Sequence, residues 1–256
     1  FTVFLISWVK PDKHHADKEF THYLLEGPLA AIDYIRERLG ATPINILGYC
    51  IGGTLLGCLL AYLKAKNKNY IESATFLASL FDFENPGDLG VYIDEAQINS
   101  LNMHMQKKGY LEGSVMAATF NSLRANDLIW SYFVNNYLKG QKPPAFDLLF
   151  WNADSTNMPA KVHYSYLHDM YLHNLLVKPN AIKLANIGID LTKINIPSYW
   201  VSTKEDHIAP WVACYKSMQN LSGIKKFVLS GSGHVAGIIN PPEKNKYGFW
   251  LNPVLG

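Results

Sequence analysis

One short stretch, Gly48-Tyr49-Cys50-Ile51-Gly52, carries residue types that could do covalent chemistry. It has the G-x-S-x-G spacing of a nucleophile elbow, with cysteine in place of serine. A sharp strand-to-helix turn holds such a nucleophile in a strained backbone conformation, and glycines on both flanks remove Cβ atoms that would clash. A helix opening at this point aims its first amides and the positive end of its dipole at the sulfur, which favours the thiolate. The Ile51 N–H then becomes one oxyanion donor. The plain alternative is a buried structural cysteine beside glycines that allow close helix packing. Cys58 lies inside the following helical pattern and Cys214 in a later one, so both are read as packing residues.

A cysteine nucleophile needs a base, and the base needs an orienting group. In elbow proteins the chain order is nucleophile, acid, histidine. Asp206 follows the strand-like run Ile196 to Ser202, within Thr203-Lys204-Glu205-Asp206-His207. His234 follows the run Lys226 to Ser230, within Gly231-Ser232-Gly233-His234. Both fall just past the carboxyl ends of expected parallel strands, the edge of such sheets that bears sites. Either residue alone reads equally well as part of a solvated loop; the ordered set of three is what points to a triad. His207, next to the acid, is a secondary candidate for the pocket.

These residues have to be positioned by a layered fold. Phe1 to Trp8 is an apolar, β-branched and aromatic run that predicts a buried strand. Leu25, Leu29, Ile32, Ile35 and Leu39 recur at helical spacing before Gly40. Ile44 to Leu47 predicts a strand, the segment through Leu63 a helix, and Ala74 to Phe81 another strand. Strand, helix, strand, helix, strand implies a mostly parallel α/β sheet. From Asp82 to Asp190 the pattern turns helical and rich in Asn, Tyr, Met and His, punctuated by Pro86-Gly87, Gly140, Pro143-Pro144 and Pro159. The expected organisation is therefore a core over 1–81, an inserted helical cap over 82–190, and the rest of the core over 191–256. Met103, Met105, Phe120, Trp130, Tyr132 and Phe133 form either the core of that cap or a greasy lid.

Composition narrows the class. Apolar residues make up 48% and charged residues 17% of 256, which excludes a disordered chain. Lys+Arg 23 against Asp+Glu 21 leaves +2, with no basic field for nucleic acid. No run reaches the roughly 18 apolar residues of a membrane span. Three cysteines are too few for a disulfide framework and suit a reducing, cytosolic setting. The Gly231–Gly237 stretch is a poor dinucleotide loop, because no βαβ unit can follow it. His163, His168 and His173 recur every five residues, a spacing that scatters them around an α-helix and argues against a zinc site.

Four blocks in order, Leu47–Leu56, Phe150–Asn157, Lys204–Trp211 and Ser232–Pro242, resemble polyhydroxyalkanoate synthases. The Ile and Gly-Gly-Thr-Leu after the cysteine are most similar to the single-subunit, short-chain class, and Ser122–Leu128 extends the likeness into the insertion. The resemblance implies an α/β-hydrolase core with a cap. It implies Cys50 as nucleophile, His234 as general base and Asp206 as acid, the last either orienting His234 or activating an incoming hydroxyl. Ile51 would donate to the oxyanion, and His207 and Trp211 would border the substrate pocket. The implied substrate is a 3-hydroxyacyl-CoA, above all 3-hydroxybutyryl-CoA; the products are a polyester and free coenzyme A. No cofactor or metal is implied. A homodimer in the cytoplasm, on the surface of polyester granules, is. Val9-Lys10 stands where the family usually has Arg-Asn, and the chain matches only part of a catalytic domain. A Cys-dependent thioesterase or lactone hydrolase would share the triad, and a catalytically silent granule-binding protein is the non-enzyme reading.

Overall fold

The computed structural model describes residues 2–123, 125–142 and 154–251. Pro143-Pro144 and the Phe150 end of the block at 150–157 lie outside them, as does Arg124 of the block at 122–128. The chain enters through α1 (Phe20–Leu24), a π-helical turn (Leu25–Leu29) and α2 (Ala30–Leu39). Gly40 ends α2 at φ 72°, a conformation that costs glycine little. Then come β1 (Ile44–Tyr49) and α3 (Ile51–Ala65), as the sequence periodicity expects, and β2 (Ile71–Leu77), which begins and ends earlier than the expected strand Ala74 to Phe81 because residues 78–81 leave the sheet.

Between β2 and the next sheet strand lie α4 (Glu95–Lys108), β3 (Tyr110–Leu111), α5 (Gly113–Leu123), β4 (Met158–Pro159), α6 (Ala160–Ser165) and a π-helical stretch, Tyr166–Leu172. A small hairpin, β5 (Lys183–Leu184) with β6 (Ile187–Gly188), leads back to β7 (Ser198–Thr203), α7 (Trp211–Gln219), β8 (Lys225–Ser230) and β9 (Phe249–Leu251). The main sheet runs in the order β1-β2-β7-β8-β9. Its first four strands are parallel and β9 is antiparallel to β8. Because β2 pairs directly with β7, everything between them is an excursion from the sheet.

The leucines at 55, 56, 59, 60 and 63 are buried along α3, which packs between the sheet and α1. Each such side chain contributes about 1.5–3 kcal/mol when fully buried. Phe76 stacks on Trp200 at 4.3 Å, and Phe81 meets both edge-on at 5.2 and 5.1 Å. These rings tie β2, β7 and the start of the excursion into one core.

Two expectations need correction. Residues 2–8 form no strand; Val3 is 81% and Leu5 91% exposed. An apolar run becomes a buried strand only where a sheet edge pairs with it, and none does so among the described residues. Trp8 makes the local anchor instead, stacked on Tyr23 at 5.1 Å and covering Gly27. The aromatics at 130–133 do not form a cap core either. Trp130, Tyr132 and Phe133 are all exposed, and Phe133 packs on Trp130 and Tyr137 at the surface.

Candidate active site

Cys50 occupies the bend between β1 and α3 with φ 53° and ψ −125°. A non-glycine residue held there stores roughly 1–3 kcal/mol of strain. The bend is fixed from both sides: the Cys50 N–H donates to the Leu77 carbonyl of β2 at 2.8 Å, and its carbonyl accepts from Gly53 N–H at 2.9 Å. A Cβ on Gly48 would sit 2.6 Å from the Gly53 Cα, so that flank must be glycine. At the other flank the sequence reading is revised. A Cβ on Gly52 would meet nothing, whereas one on Gly53 would collide with the Ser79 side chain. Ile51 opens α3, so its N–H is among the first amides, which have no intrahelical acceptor.

His234 and Asp206 come to the same edge from β8 and β7. The His234 Nδ1 lies 2.6 Å from Asp206 Oδ2, with the carboxylate side chain fully buried and the imidazole 12% exposed. Asp206 Oδ1 accepts the Ile208 and Ala209 amides at 2.9 and 2.8 Å, and Thr203 Oγ1 donates to Oδ2 at 3.5 Å. Both carboxylate oxygens are thus engaged. With Nδ1 taken, the other nitrogen of His234 is left to serve Cys50, which is near enough to act on the charge of the ring. Burial pulls the His234 pKa down, but the bonds and charges of Asp206 and Cys50 outweigh it and hold it up at about 10. Tyr49 braces the imidazole from behind: the rings stack at 5.3 Å, and Tyr49 Oη donates to the His234 carbonyl at 2.7 Å.

Cys50 and Ile51 open into a cavity of about 410 Å³. Its walls include Leu89, Ile93, Ile98 and Leu101, Met116 and Phe120 of α5, and His163, Tyr166 and Tyr171. Tyr166 and Tyr171 meet edge-on with ring centroids 5.2 Å apart, and burial pushes both phenols well above their ordinary range. His163 is driven down to about 4 by burial, so the wall carries a neutral imidazole at neutral pH. Of the aromatic and Met residues singled out in the excursion, Phe120 reaches this cavity, while Met105 packs with Leu111 and Ala160 in a separate small core. Neither His207 nor Trp211 lines it; Ile208, between them, does. A more open groove of about 730 Å³, edged by Asp17, Glu19, Lys161 and Asp169, contains none of Cys50, Asp206 and His234.

Cys58 and Cys214 are buried, and burial raises both thiols to about 12, which keeps them inert. The cavity walls themselves were not legible in advance, because they come from segments far apart in the chain. Only the apolar helical periodicity of 98–120 hinted at them.

The chain matches the model of the alpha/beta hydrolase fold over residues 12–241. It is 50% identical over 249 residues to a Poly(3-hydroxyalkanoate) polymerase of Methylorubrum extorquens, covering 97% of this chain and 41% of the relative. A Poly(3-hydroxyalkanoate) polymerase subunit of Cupriavidus necator is 41% identical over 259 residues, 99% of this chain and 44% of the relative. The chain therefore spans about two fifths of the length of these curated relatives. Among solved structures, the alpha/beta hydrolase GrgF from Penicillium sp. sh18 superposes with a TM-score of 0.49 at 14% identity, over 89% of this chain and 69% of that one. The match at 12–241 takes in β1 to β8 and all three of Cys50, Asp206 and His234, and the chain belongs to the alpha/beta hydrolase fold family.

Proposed function

We propose that this protein polymerises 3-hydroxyacyl-CoA, with 3-hydroxybutyryl-CoA as the leading substrate, through an acyl-Cys50 intermediate. What carries the reading is the set Cys50, His234 and Asp206, with His234 bonded to Asp206 and Cys50 opening into an apolar cavity, in a chain similar over nearly its whole length to Poly(3-hydroxyalkanoate) polymerases. The Cys50 sulfur passes its proton to His234 and attacks the thioester carbonyl. The oxyanion is held in part by the Ile51 N–H. As the carbon–sulfur bond to coenzyme A breaks, the His234 imidazolium returns the proton to the departing thiolate. The 3-hydroxyl of a second unit then attacks the Cys50 thioester, gives its proton to His234, and the Cys50 thiolate leaves. One ester bond forms per coenzyme A released.

Asp206 acts by orienting His234. Its Oδ1 is tied to two backbone amides and its Oδ2 to the imidazole, within a fully buried side chain, which leaves no face for an incoming hydroxyl. Apolar walls keep water from the thioester and so favour polymer over free acid. The same reading places a homodimer on the polyester surface. Among the described residues no helix is long and apolar enough to cross a membrane.

The test is the product made by the protein from 3-hydroxybutyryl-CoA. Insoluble polyester with Cys50 trapped as the acyl adduct supports the reading. Soluble 3-hydroxy acid as the sole product would convert it to a thioesterase.

A further inference from the structure

The five-residue spacing of His168 and His173 separates them on an α-helix, but Tyr166–Leu172 is π-helical. A π turn bonds residue i to i+5, and the His173 N–H does donate to the His168 carbonyl, at 3.2 Å. The two imidazoles consequently meet edge to face, centroids 4.6 Å apart. Glu95, the first residue of α4, completes the group, with its Oε1 3.7 Å from His173 Nε2. One donor atom from each of the three lies within 4.8 Å of the others.

We infer that Glu95, His168 and His173 form a binding site for a first-row divalent transition metal such as Zn²⁺ or Co²⁺. Two imidazoles and one carboxylate suit these ions and not the oxygen-seeking Mg²⁺ or Ca²⁺. Tetrahedral coordination asks for donors about 3.3 Å apart. The carboxylate–imidazole pair is already near that, and the exposed Glu95 and His173 side chains, 64% and 41%, are free to close the rest. His168 is pre-set: its ring stacks on Tyr164 at 5.2 Å, and Nδ1 is held 2.8 Å from Asp169 Oδ1. A carboxylate on one ring nitrogen fixes the tautomer and presents the other nitrogen to a metal, as outer partners of metal-bound histidines do. The third histidine of the series, His163, takes no part; it faces the cavity. Three protein ligands leave room for water on the ion. An ion here would join the first turn of α4 to the end of the π-helical stretch, two elements that wall the cavity above Cys50.

Co²⁺ titration of the full protein carrying Cys50→Ser, which removes the competing thiol, tests the site. The expected result is one equivalent bound with visible d–d absorption, displaced by Zn²⁺. His168→Ala or His173→Ala should each weaken binding by at least about tenfold, and Asp169→Asn by about tenfold. His173→Ala should otherwise keep the Tm and metal-free turnover of the protein. Affinity unchanged in both histidine variants, or no binding at millimolar ion, overturns the assignment.

Discussion

Asp206→Asn keeps the shape of the acid and removes its charge, so it isolates what the carboxylate does for His234. The rise of His234 from 6.5 to about 10 corresponds to roughly 5 kcal/mol of preference for the imidazolium, as an upper bound shared with Cys50. Burial works in the opposite direction and is left largely unopposed once the charge is gone. The His234 titration should therefore fall by about two pH units or more. It can be followed by NMR of the imidazole C–H signals, with Cys50→Ser as the common background. Turnover with 3-hydroxybutyryl-CoA should fall by about 10²–10⁴-fold, because an amide can hold the wrong tautomer of the ring. Stability follows the same linkage. A folded pKa above the unfolded value stabilises fully below about 6.5, and that stabilisation is lost as pH rises through about 10. Asp206→Asn should thus cost most stability below pH 6.5 and progressively less toward pH 10. A His234 titration that moves by under half a pH unit would refute the claim that this carboxylate governs the imidazole.

Other substitutions separate position from composition. Cys50→Ala should abolish acyl-enzyme and polymer, while Cys58→Ala should leave the acyl adduct intact, as mass spectrometry of the trapped protein would show. Gly53→Ala should destabilise by about 1–3 kcal/mol through the clash with Ser79, whereas Gly52→Ala should be neutral or up to about 1 kcal/mol stabilising in a thermal melt, since alanine suits a helix better than glycine. Leu59→Ala, at a fully buried position of α3, should cost about 2–5 kcal/mol in a denaturant titration.

The parts of the fold that the residues announced are those governed by local rules. Apolar runs bounded by turn residues became β1, β2, β7 and β8, and Gly40 stopped α2 where its positive φ allowed. The placement of Cys50, Asp206 and His234 was readable because each follows a strand, and parallel strands deliver their ends to one edge. Phe1 to Trp8 failed because burial is a property of neighbours and not of the run itself. The role given to Gly52 failed for a similar reason: the clash falls on Gly53, and the atom that decides it, on Ser79, is contributed by the segment after β2.

The π-helical stretch is the instructive failure, because there the assumed period was wrong. Counting at 3.6 residues per turn puts positions five apart on different faces. In Tyr166–Leu172 the wider turn aligns them, and it does so twice. Tyr166 and Tyr171, both lining the cavity, meet edge-on at 5.2 Å, while His168 and His173 meet in the cluster with Glu95. A single irregularity in the helix thus shapes both part of the cavity lining and the proposed cation site. Both pairs hang from the same widened turn, so the backbone irregularity that sets the two tyrosines in the cavity lining also sets the two histidines.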